Sequence, residues 1–328
     1  MSPPQVVTVG HAIVDVLART PDRTVAELGL TKGTMTLVDE DESARIYESL
    51  SDTAEASGGS AANTAVGLAS LGARSAFIGK VRDDHLGQVF GDDIRAAGVA
   101  FGVDPAVTGP ATGRCSIMIT PDAERTMCTY LGAGDLVGAD DIDQAAVAGA
   151  DIVYLEGYLC GLPATDAAVE RCLTTAEAAG TLLSLSLSDP FWVELHGKDL
   201  DTLLDRVGLL FANEQEACGM VGTDDVAEAV RALAERCATV VVTRGAGQVA
   251  VATGGEVIEV AAQVVESVVD TTGAGDLFAA GYLYGMVAGF TPDRCARLGN
   301  LAAAEVIGHI GARPRIPLHQ LIDQSVAV

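Results

Sequence analysis

Short apolar runs rich in β-branched residues alternate along most of the chain with longer segments in which apolar residues recur at helical spacing. The apolar runs predict strands over residues 6–9, 75–79, 152–155, 182–187, 209–211 and 240–243. The segments between them predict helices over residues 60–71, 86–97, 165–179, 225–235, 276–288 and 292–309. Strands that alternate with helices imply right-handed crossovers onto a mainly parallel sheet with helices on both faces. Such sheets bind ligands at the carboxyl ends of their strands.

Residues 113–131 depart from this alternation. Two strand-like runs flank a Pro-Asp turn there, which predicts a β-hairpin with no helix attached. A further extended run over residues 34–38 is expected to join the hairpin in a small sheet. No linker divides the chain, so we predict a single α/β domain over residues 1–328, with a β lid formed by about residues 15–38 and 99–131. An ordinary surface hairpin is the alternative.

The charge balance narrows the classes of function. The chain has 45 acidic and 20 basic side chains, a formal net charge of −25. Nucleic acids and anionic membranes are therefore not expected as partners, because both are held by clustered Lys and Arg. Three lysines occur and none stands in a GxxxxGK[ST] loop, which excludes a Walker-type NTPase. A protein of this composition would have to bind phosphates with backbone amides, metal ions and a few arginines.

Cysteine usage and the N-terminal segment indicate a cytoplasmic protein. The seven cysteines are scattered without a CxxC pair, which favours reduced thiols and gives no zinc site. The first ten residues lack the basic flank and apolar core of a signal peptide. With 49% apolar and 20% charged residues, the composition is typical of a globular protein.

The segment from Asp270 to Asp276, DTTGAGD, carries the most specific chemistry. A strand predicted over residues 266–269 leads into Gly273, Ala274 and Gly275, and a long apolar helix is expected to begin at Asp276. The amides of such a turn point outward at the positive end of the helix dipole and form an anion hole suited to a phosphoryl group. A carboxylate at its mouth can accept the proton of an incoming hydroxyl as general base. In isolation, the same residues would also fit a capped helix after a tight turn.

The longer string DTTGAGDLFAAG closely resembles the C-terminal signature of the ribokinase-like (pfkB) family of sugar and nucleoside kinases. About 200 residues earlier, the segment GGSAAN from Gly58 to Asn63 resembles the N-terminal signature of that family. Further matches to this family are found along nearly the whole chain. The resemblance implies a ribokinase-like three-layer α/β/α fold with a mainly parallel central sheet and a small β lid. It also implies ATP and Mg²⁺ as cofactors.

The acceptor side of the site is expected near the N-terminal signature. Gly58 and Gly59 would let a substrate hydroxyl approach the backbone, while Asn63 hydrogen-bonds it. The resemblance places Asp15, after the first strand, on a pair of sugar hydroxyls. It places Arg125 of the hairpin where adenosine kinases carry an Arg that reaches the transferred phosphate, although a solvated Arg fits that position equally well.

The ATP side is expected near the ends of later strands. Asn213 and Glu216 resemble the NxxE motif of the family, which is implicated in indirect Mg²⁺ and phosphate placement. A helix capping box explains the same pair equally well. The resemblance places Thr243, Arg244 and Gly245 on the ATP phosphates and puts Asn300 in the region of the adenine pocket.

In many relatives a monovalent cation such as K⁺ binds near the positions of Asp270 and Thr272. The sequence leaves open whether this chain binds one.

The acceptor is expected to be a nucleoside, with adenosine first. The segment GGSAANT is nearer to adenosine kinases than the GGKGAN pattern of ribokinases, and Tyr158, Leu159 and Leu131 are expected to enclose a base. Core packing is the alternative for those three residues. A kinase for ribose, fructose or a related sugar stays open, because the residues after Asn63 and the lid length depart from well-known adenosine kinases. A nucleoside sensor without turnover is disfavoured by Asp276. The choice between a monomer and a homodimer clasped by its lids also stays open.

Overall fold

The structure is a computed structural model that describes residues 2–122 and 124–323. The ends of the predicted 1–328 domain and residue 123 of the predicted hairpin turn lie outside the described residues. The strands are β1 (Val6–Val9), β2 (Ile13–Arg19), β3 (Met35–Leu37), β4 (Ala54–Gly58), β5 (Ser75–Ile78), β6 (Ala100–Phe101), β7 (Gly113–Ile119), β8 (Arg125–Tyr130), β9 (Ile152–Glu156), β10 (Leu182–Ser186), β11 (Leu209–Asn213), β12 (Thr239–Thr243), β13 (Gln248–Thr253) and β14 (Glu256–Ala261). The α-helices are α1 (Asp22–Glu27), α2 (Glu40–Ser49), α3 (Ser60–Leu71), α4 (His85–Ala96), α5 (Gln144–Gly149), α6 (Pro163–Ala179), α7 (Pro190–Leu204), α8 (Glu214–Val221), α9 (Val226–Ala234), α10 (Ala274–Val287) and α11 (Pro292–Ile307).

The main sheet has nine strands in the order β14-β13-β12-β11-β10-β9-β1-β5-β6. Every pairing is parallel except those of β13 with β12 and β14. All six apolar runs that the sequence predicted as strands of this sheet belong to it, which confirms the mainly parallel sheet.

Alternating side chains of these strands feed two separate cores. Along β9, Val153 and Leu155 pack on the face covered by α5 to α9, whereas Ile152 and Tyr154 pack on the face covered by α3, α4, α10 and α11. Burial on both faces explains why the strands are continuously apolar rather than alternating. The result is the predicted three-layer α/β/α arrangement.

The prediction of a strand over residues 266–269 is wrong. The segment has no strand pairing, and Val268 and Val269 are exposed, so its apolar residues do not enter either core. Instead, the backbone N–H of Val269 donates to Ile307 O at the end of α11, at 2.8 Å. The helix that follows begins at Ala274, two residues before its predicted start.

A second sheet of five strands, in the order β3-β8-β7-β2-β4, lies beyond the carboxyl edge of the main sheet. Its centre is the predicted hairpin, because β7 and β8 pair antiparallel. Its extent differs from the predicted lid in two respects. The polar strand β4 (AEASG) pairs with β2 and joins this sheet, whereas β6 pairs with β5 and belongs to the main sheet. Short edge strands such as these carry little periodic signal.

None of the helices within the described residues is long and apolar enough to cross a membrane. The seven cysteines are all free thiols.

Candidate active site

A cavity of about 520 Å³ lies between the carboxyl ends of the main-sheet strands and the small sheet. The small sheet contributes a largely apolar wall that includes Ile13, Leu37 and Met127. The main sheet and its helices contribute carboxylates, hydroxyls and the turn before α10. The residues of the predicted site that line the cavity are Asp15, Gly59, Asn63, Leu131, Tyr158, Asn213, Glu216, Thr243, Thr272, Gly273, Ala274, Gly275 and Asp276.

Asp276 is held by two donors from α3. Its Oδ1 accepts from Ser60 Oγ at 2.7 Å, and its Oδ2 accepts from Asn63 Nδ2 at 2.9 Å. Burial raises the pKa of Asp276 to about 6, although the hydrogen bonds from Ser60 and Asn63 oppose that rise. The carboxylate is therefore ionised at neutral pH and still basic enough to accept a proton.

The turn before α10 depends on a left-handed glycine. Gly273 is the N-cap residue with φ 80°, and a Cβ at this position would lie 2.8 Å from the Cα of Ala312. The N–H of Ala274 donates to Thr271 O at 3.1 Å. The amides of Gly275 and Asp276 follow in the first turn, where helix amides lack an intrahelical acceptor and the dipole favours an anion.

Asp15 lies directly over the glycine pair of the N-terminal signature. A Cβ built on Gly58 would lie 2.5 Å from Asp15 Oδ2, so only glycine leaves room for this carboxylate. Burial raises the pKa of Asp15 to about 6. Gly59 has φ 92° and a Cβ there would meet His11 O at 2.3 Å, so both glycines are required sterically.

Arg125 of β8 reaches the start of the C-terminal signature. Its Nη1 lies 2.5 Å from Asp270 Oδ2 and 3.1 Å from Thr272 Oγ1, while its Nη2 is buried without a hydrogen-bond partner among the described residues. Asp270 also accepts from the hydroxyl and N–H of Thr272 and from the N–H of Gly311. The two side chains that the resemblance assigned to a monovalent cation are therefore paired with a guanidinium here.

Asn213 and Glu216 form the capping box of α8 and also line the cavity. Glu216 accepts from Asn213 N at 2.9 Å and from Asn213 Nδ2 at 2.6 Å, and Asn213 Oδ1 accepts from Glu216 N at 2.8 Å. Burial raises the pKa of Glu216 to about 7, with the charge of Asp189 adding to the rise. The two side chains thus cap α8 and line the cavity at the same time.

Seven of the expected site residues do not line the cavity in the described structure, and two of them, Gly58 and Arg125, are described above. Asn300 Nδ2 donates to Ala261 O at 2.9 Å, and Arg244 lies 3.5 Å from Glu259 on β14. Gly245 forms the turn between β12 and β13 with φ 55°. Leu159 is fully buried in the core beneath α6, and Asp270 is covered by its partners. Leu159 follows Tyr158 in a 3-10 turn, so only one of these two side chains faces the cavity.

Part of the cavity lining is aromatic. Tyr158, Phe191 and Trp192 line the cavity, as do Leu37 of β3 and Leu131, which directly follows β8. The rings of Tyr158 and Trp192 are 5.6 Å apart in an edge-to-face arrangement. Of the three residues expected to enclose a base, Tyr158 and Leu131 line the cavity and Leu159 does not, while Phe191 and Trp192 line it in addition.

Sequence reasoning missed a buried charged cluster on the cavity floor. His11 donates from its ring to Glu156 Oε1 at 2.8 Å and to Asp135 Oδ1 at 3.0 Å, and Glu156 also accepts from the N–H of His11 and of Ala61. Burial alone would lower the pKa of His11, but the hydrogen bonds to Asp135 and Glu156 outweigh it and raise the pKa to about 9. The partners lie 124 and 145 residues from His11, so no local pattern could have revealed the cluster.

The carboxylates of the cavity fit a metal-bound nucleotide better than a free one. No group of three or more His, Cys, Asp or Glu side chains that could hold a metal ion occurs among the described residues. Mg²⁺ needs no such cage, because it keeps several waters and is usually held by one or two carboxylates together with substrate phosphates. Among the cavity carboxylates, Asp189 could hold it directly, whereas both oxygens of Glu216 accept from Asn213, so Glu216 could hold it only indirectly.

Comparison with known proteins agrees with the geometry. The family model for pfkB family carbohydrate kinases matches residues 5–318. The crystal structure of adenosine kinase from Sinorhizobium meliloti is 43% identical, with a TM-score of 0.91, and covers 99% of this chain and 100% of that one. A probable sugar kinase from Rhizobium etli is 40% identical, with a TM-score of 0.92 and 100% of both chains covered. An uncharacterised sugar kinase from Archaeoglobus fulgidus is 31% identical over 77% of this chain and 98% of its own length.

Both signatures thus meet in one cavity, on a sheet and lid arrangement shared with solved kinases over nearly the whole chain. These relatives confirm the ribokinase-like fold and a kinase that uses ATP with Mg²⁺ and an alcohol as acceptor. The chain belongs to the pfkB family of carbohydrate kinases.

Proposed function

We propose that the protein transfers the γ-phosphoryl group of ATP to the 5′-hydroxyl of a nucleoside, with adenosine as the acceptor. The observation that supports this proposal is that a polar group and an aromatic group of side chains line the same cavity. The polar group is Asp15, Asn63 and Asp276, and the aromatic group is Tyr158 and Trp192. A nucleoside has two matching parts, because a polyhydroxylated ribose is joined to a flat base.

The polar group contains acceptors suited to ribose hydroxyls. Asn63 is 5% exposed, and its Oδ1 is buried without a hydrogen-bond partner among the described residues. A buried polar atom without a partner is costly, so a hydroxyl that donates to it would be bound favourably. The carboxylate of Asp15, beside Gly58, would accept from the remaining ribose hydroxyls.

Asp276 would act as general base on the attacking hydroxyl. Its two oxygens are oriented by Ser60 and Asn63, which fixes the carboxylate for proton transfer. The amides of Gly275 and Asp276 would stabilise the charge on the transferred phosphoryl group, as donors at a helix N-terminus do. The unpartnered Nη2 of Arg125 would add a positive charge from the small sheet.

The nucleotide would occupy the side of the cavity lined by Asn213, Glu216 and Thr243. When bound, Mg²⁺ neutralises part of the phosphate charge. Both carboxylate oxygens of Glu216 accept from Asn213, so this side chain would act on the metal indirectly. A K⁺ ion near Asp270 would have to displace Arg125.

A sugar kinase is the second candidate, and the similarity to the sugar kinases of Rhizobium etli and Archaeoglobus fulgidus favours it. A free ribose or fructose has no flat base that would contact the aromatic side chains of the cavity. We therefore place the nucleoside first.

The deciding experiment is a screen of ADP release with Mg·ATP over adenosine, other nucleosides, ribose and fructose. We expect turnover with adenosine and a loss of about 10²–10⁴-fold in Asp276→Asn, the range for a removed general base. Asp143→Asn is the matched control, because Asp143 caps the distant helix α5 and Asn caps equally well. Turnover with sugars and with no nucleoside would contradict the adenosine assignment, and wild-type turnover in Asp276→Asn would contradict the general base.

We further propose a cytoplasmic location, because free thiols are the state that a reducing compartment maintains. The small sheet is proposed to act as a lid over the bound acceptor. Light scattering on the purified protein distinguishes a monomer from a homodimer clasped by two such lids.

A further inference from the structure

Arg313 reaches from the segment after α11 to the end of β4. Its Nη2 donates to Ser57 O at 2.6 Å and to Ser57 Oγ at 2.8 Å. Ser57 is 1% exposed, and its N–H and hydroxyl both donate to Asp93 Oδ2, at 2.8 and 2.6 Å. A guanidinium, a serine and a carboxylate from three elements are thus joined at one point of the backbone.

That point lies at the base of the turn that carries the acceptor groups. Ser57 directly precedes Gly58, over which the carboxylate of Asp15 lies. Gly59 then begins α3, whose Ser60 and Asn63 hold Asp276. If Ser57 moved, the residues that follow it in the chain would therefore move too, and with them the groups that contact Asp15 and Asp276.

The positive charge of the Arg313 guanidinium also affects the neighbouring carboxylates. Asp93, Asp15 and Asp276 all face Arg313, and burial lowers its pKa to about 10, which leaves it protonated at neutral pH. Its charge lowers the pKa of Asp15 and of Asp276, against the burial that raises both to about 6. Its Nε is buried without a hydrogen-bond partner among the described residues. Hydrogen bonds alone therefore do not explain why this guanidinium is placed here.

We propose that Arg313 is a positioning residue for the phosphoryl acceptor, one that fixes the turn from Ser57 to Gly59 and keeps Asp15 and Asp276 as carboxylates. The inference rests on the proposed general base, and it holds for whichever acceptor the enzyme phosphorylates. A neutral side chain at position 313 would leave two neighbouring carboxylates without their nearest shared cation, so they would take up protons at higher pH.

The test is the pH profile of kcat/KM for the acceptor at saturating Mg·ATP. Other charges facing these groups are common to the wild type and the variants at position 313, so they cancel in that comparison; they are Asp93, Arg125, Asp270, Glu156 and the His11 beside Glu156. We expect the acid limb of Arg313→Gln to move upward by about one pH unit, which is a tenfold change in proton affinity. Arg313→Lys keeps the charge and is expected to keep the acid limb within a few tenths of a unit, with a lower kcat/KM because the shorter lysine side chain does not place its donors where Nη2 of Arg313 lies.

Arg315→Gln is the matched control, since this side chain lies two residues further on and is exposed. The acid limb of this variant should match that of the wild type.

If Arg313→Gln proves unfolded by circular dichroism, the isosteric Asp93→Asn serves instead. It removes a negative charge beside Arg313, so the limb should move to lower pH, and an unmoved limb in it overturns the proposal. A uniform loss of kcat/KM with an unmoved acid limb in folded Arg313→Gln would also overturn it, since that is the result of a purely structural role.

These outcomes are separable from failure of the proposed function. If adenosine is not an acceptor, the same profiles are measured with the acceptor that the screen identifies. If Asp276→Asn retains turnover, the general base is wrong. If Asp276→Asn is inactive and the acid limbs of wild type and folded Arg313→Gln coincide, only the inference on Arg313 fails.

Discussion

Raising the pH from 6.5 towards about 8.5 is expected to destabilise the protein through His11. This side chain is 1% exposed and lies between Glu156 and Asp135, at 2.8 and 3.0 Å. Its pKa is about 9 in the folded protein, against 6.5 for an ordinary histidine. Since the folded value is the higher one, the stability that His11 contributes is fully present below pH 6.5 and is lost as the pH rises through about 9.

The magnitude follows from the two pKa values. A difference of about 2.5 units corresponds to roughly 3 kcal/mol, of which about 2 kcal/mol is lost between pH 6.5 and about 8.5. An unfolding entropy of about 2.1 cal/mol/K per residue gives roughly 0.7 kcal/mol/K for 328 residues. The Tm is therefore expected to fall by about 3 °C over this pH interval.

The assay is thermal unfolding, followed by calorimetry and circular dichroism, of the wild type and of His11→Asn. Asparagine offers Glu156 a donor but does not titrate, so the variant should be less stable at pH 6.5 and should lose less Tm towards about pH 8.5. The buried cysteines titrate at higher pH in both proteins and cancel in the difference. An equal fall of Tm in both proteins would refute the assignment of a buried imidazolium to His11.

The remaining predictions concern the chemistry around α10. Gly273→Ala is expected to cost about 2 kcal/mol, or roughly 3 °C in Tm, because it forces alanine into a left-handed φ against Ala312. Gly275→Ala has no atom within 4 Å of its Cβ and should leave Tm unchanged or higher; equal losses would contradict this reasoning. The wild-type kcat/KM should fall about tenfold per pH unit below about pH 6 as Asp276 is protonated, whereas a profile flat to about pH 5 would exclude it as the base. Arg125→Ala should slow phosphoryl transfer more than it raises the Kd of the acceptor and should make turnover respond to K⁺; a change in binding alone would place Arg125 away from the phosphate.

Much of the fold could be predicted because its signals are local. Strands buried on both faces must be continuously apolar, and helices packed on them must repeat at helical spacing, so six of the nine main-sheet strands left a pattern within their own residues, whereas β6, β13 and β14 were not predicted. The Gly-Ala-Gly turn is local for the same reason, since its left-handed φ and its helix start depend on adjacent residues. Where an element is short and polar, as in β4, the pattern failed, because its pairing with β2 supplies what its own side chains do not.

Local patterns also misplaced side chains that only packing can orient. Residues 266–269 have strand-like composition, yet the backbone of Val269 is bonded to the end of α11 and the side chains of Val268 and Val269 are exposed. Tyr158 and Leu159 are adjacent and apolar, but a 3-10 turn sends the first to the cavity and the second to the core.

The sequence by itself determined the layered α/β fold and the Gly-Ala-Gly turn, and it placed Asp276, the proposed general base, at the start of the helix after that turn. Only the tertiary structure decided which charges surround that base. Ser60 and Asn63 reach Asp276 across more than 200 residues, and Arg313 reaches Ser57 across 256. The physical reason is that a buried charge is stable only with partners, and those partners come from whichever elements the sheet topology brings to one edge. No periodic pattern along the chain predicts that these partners come together.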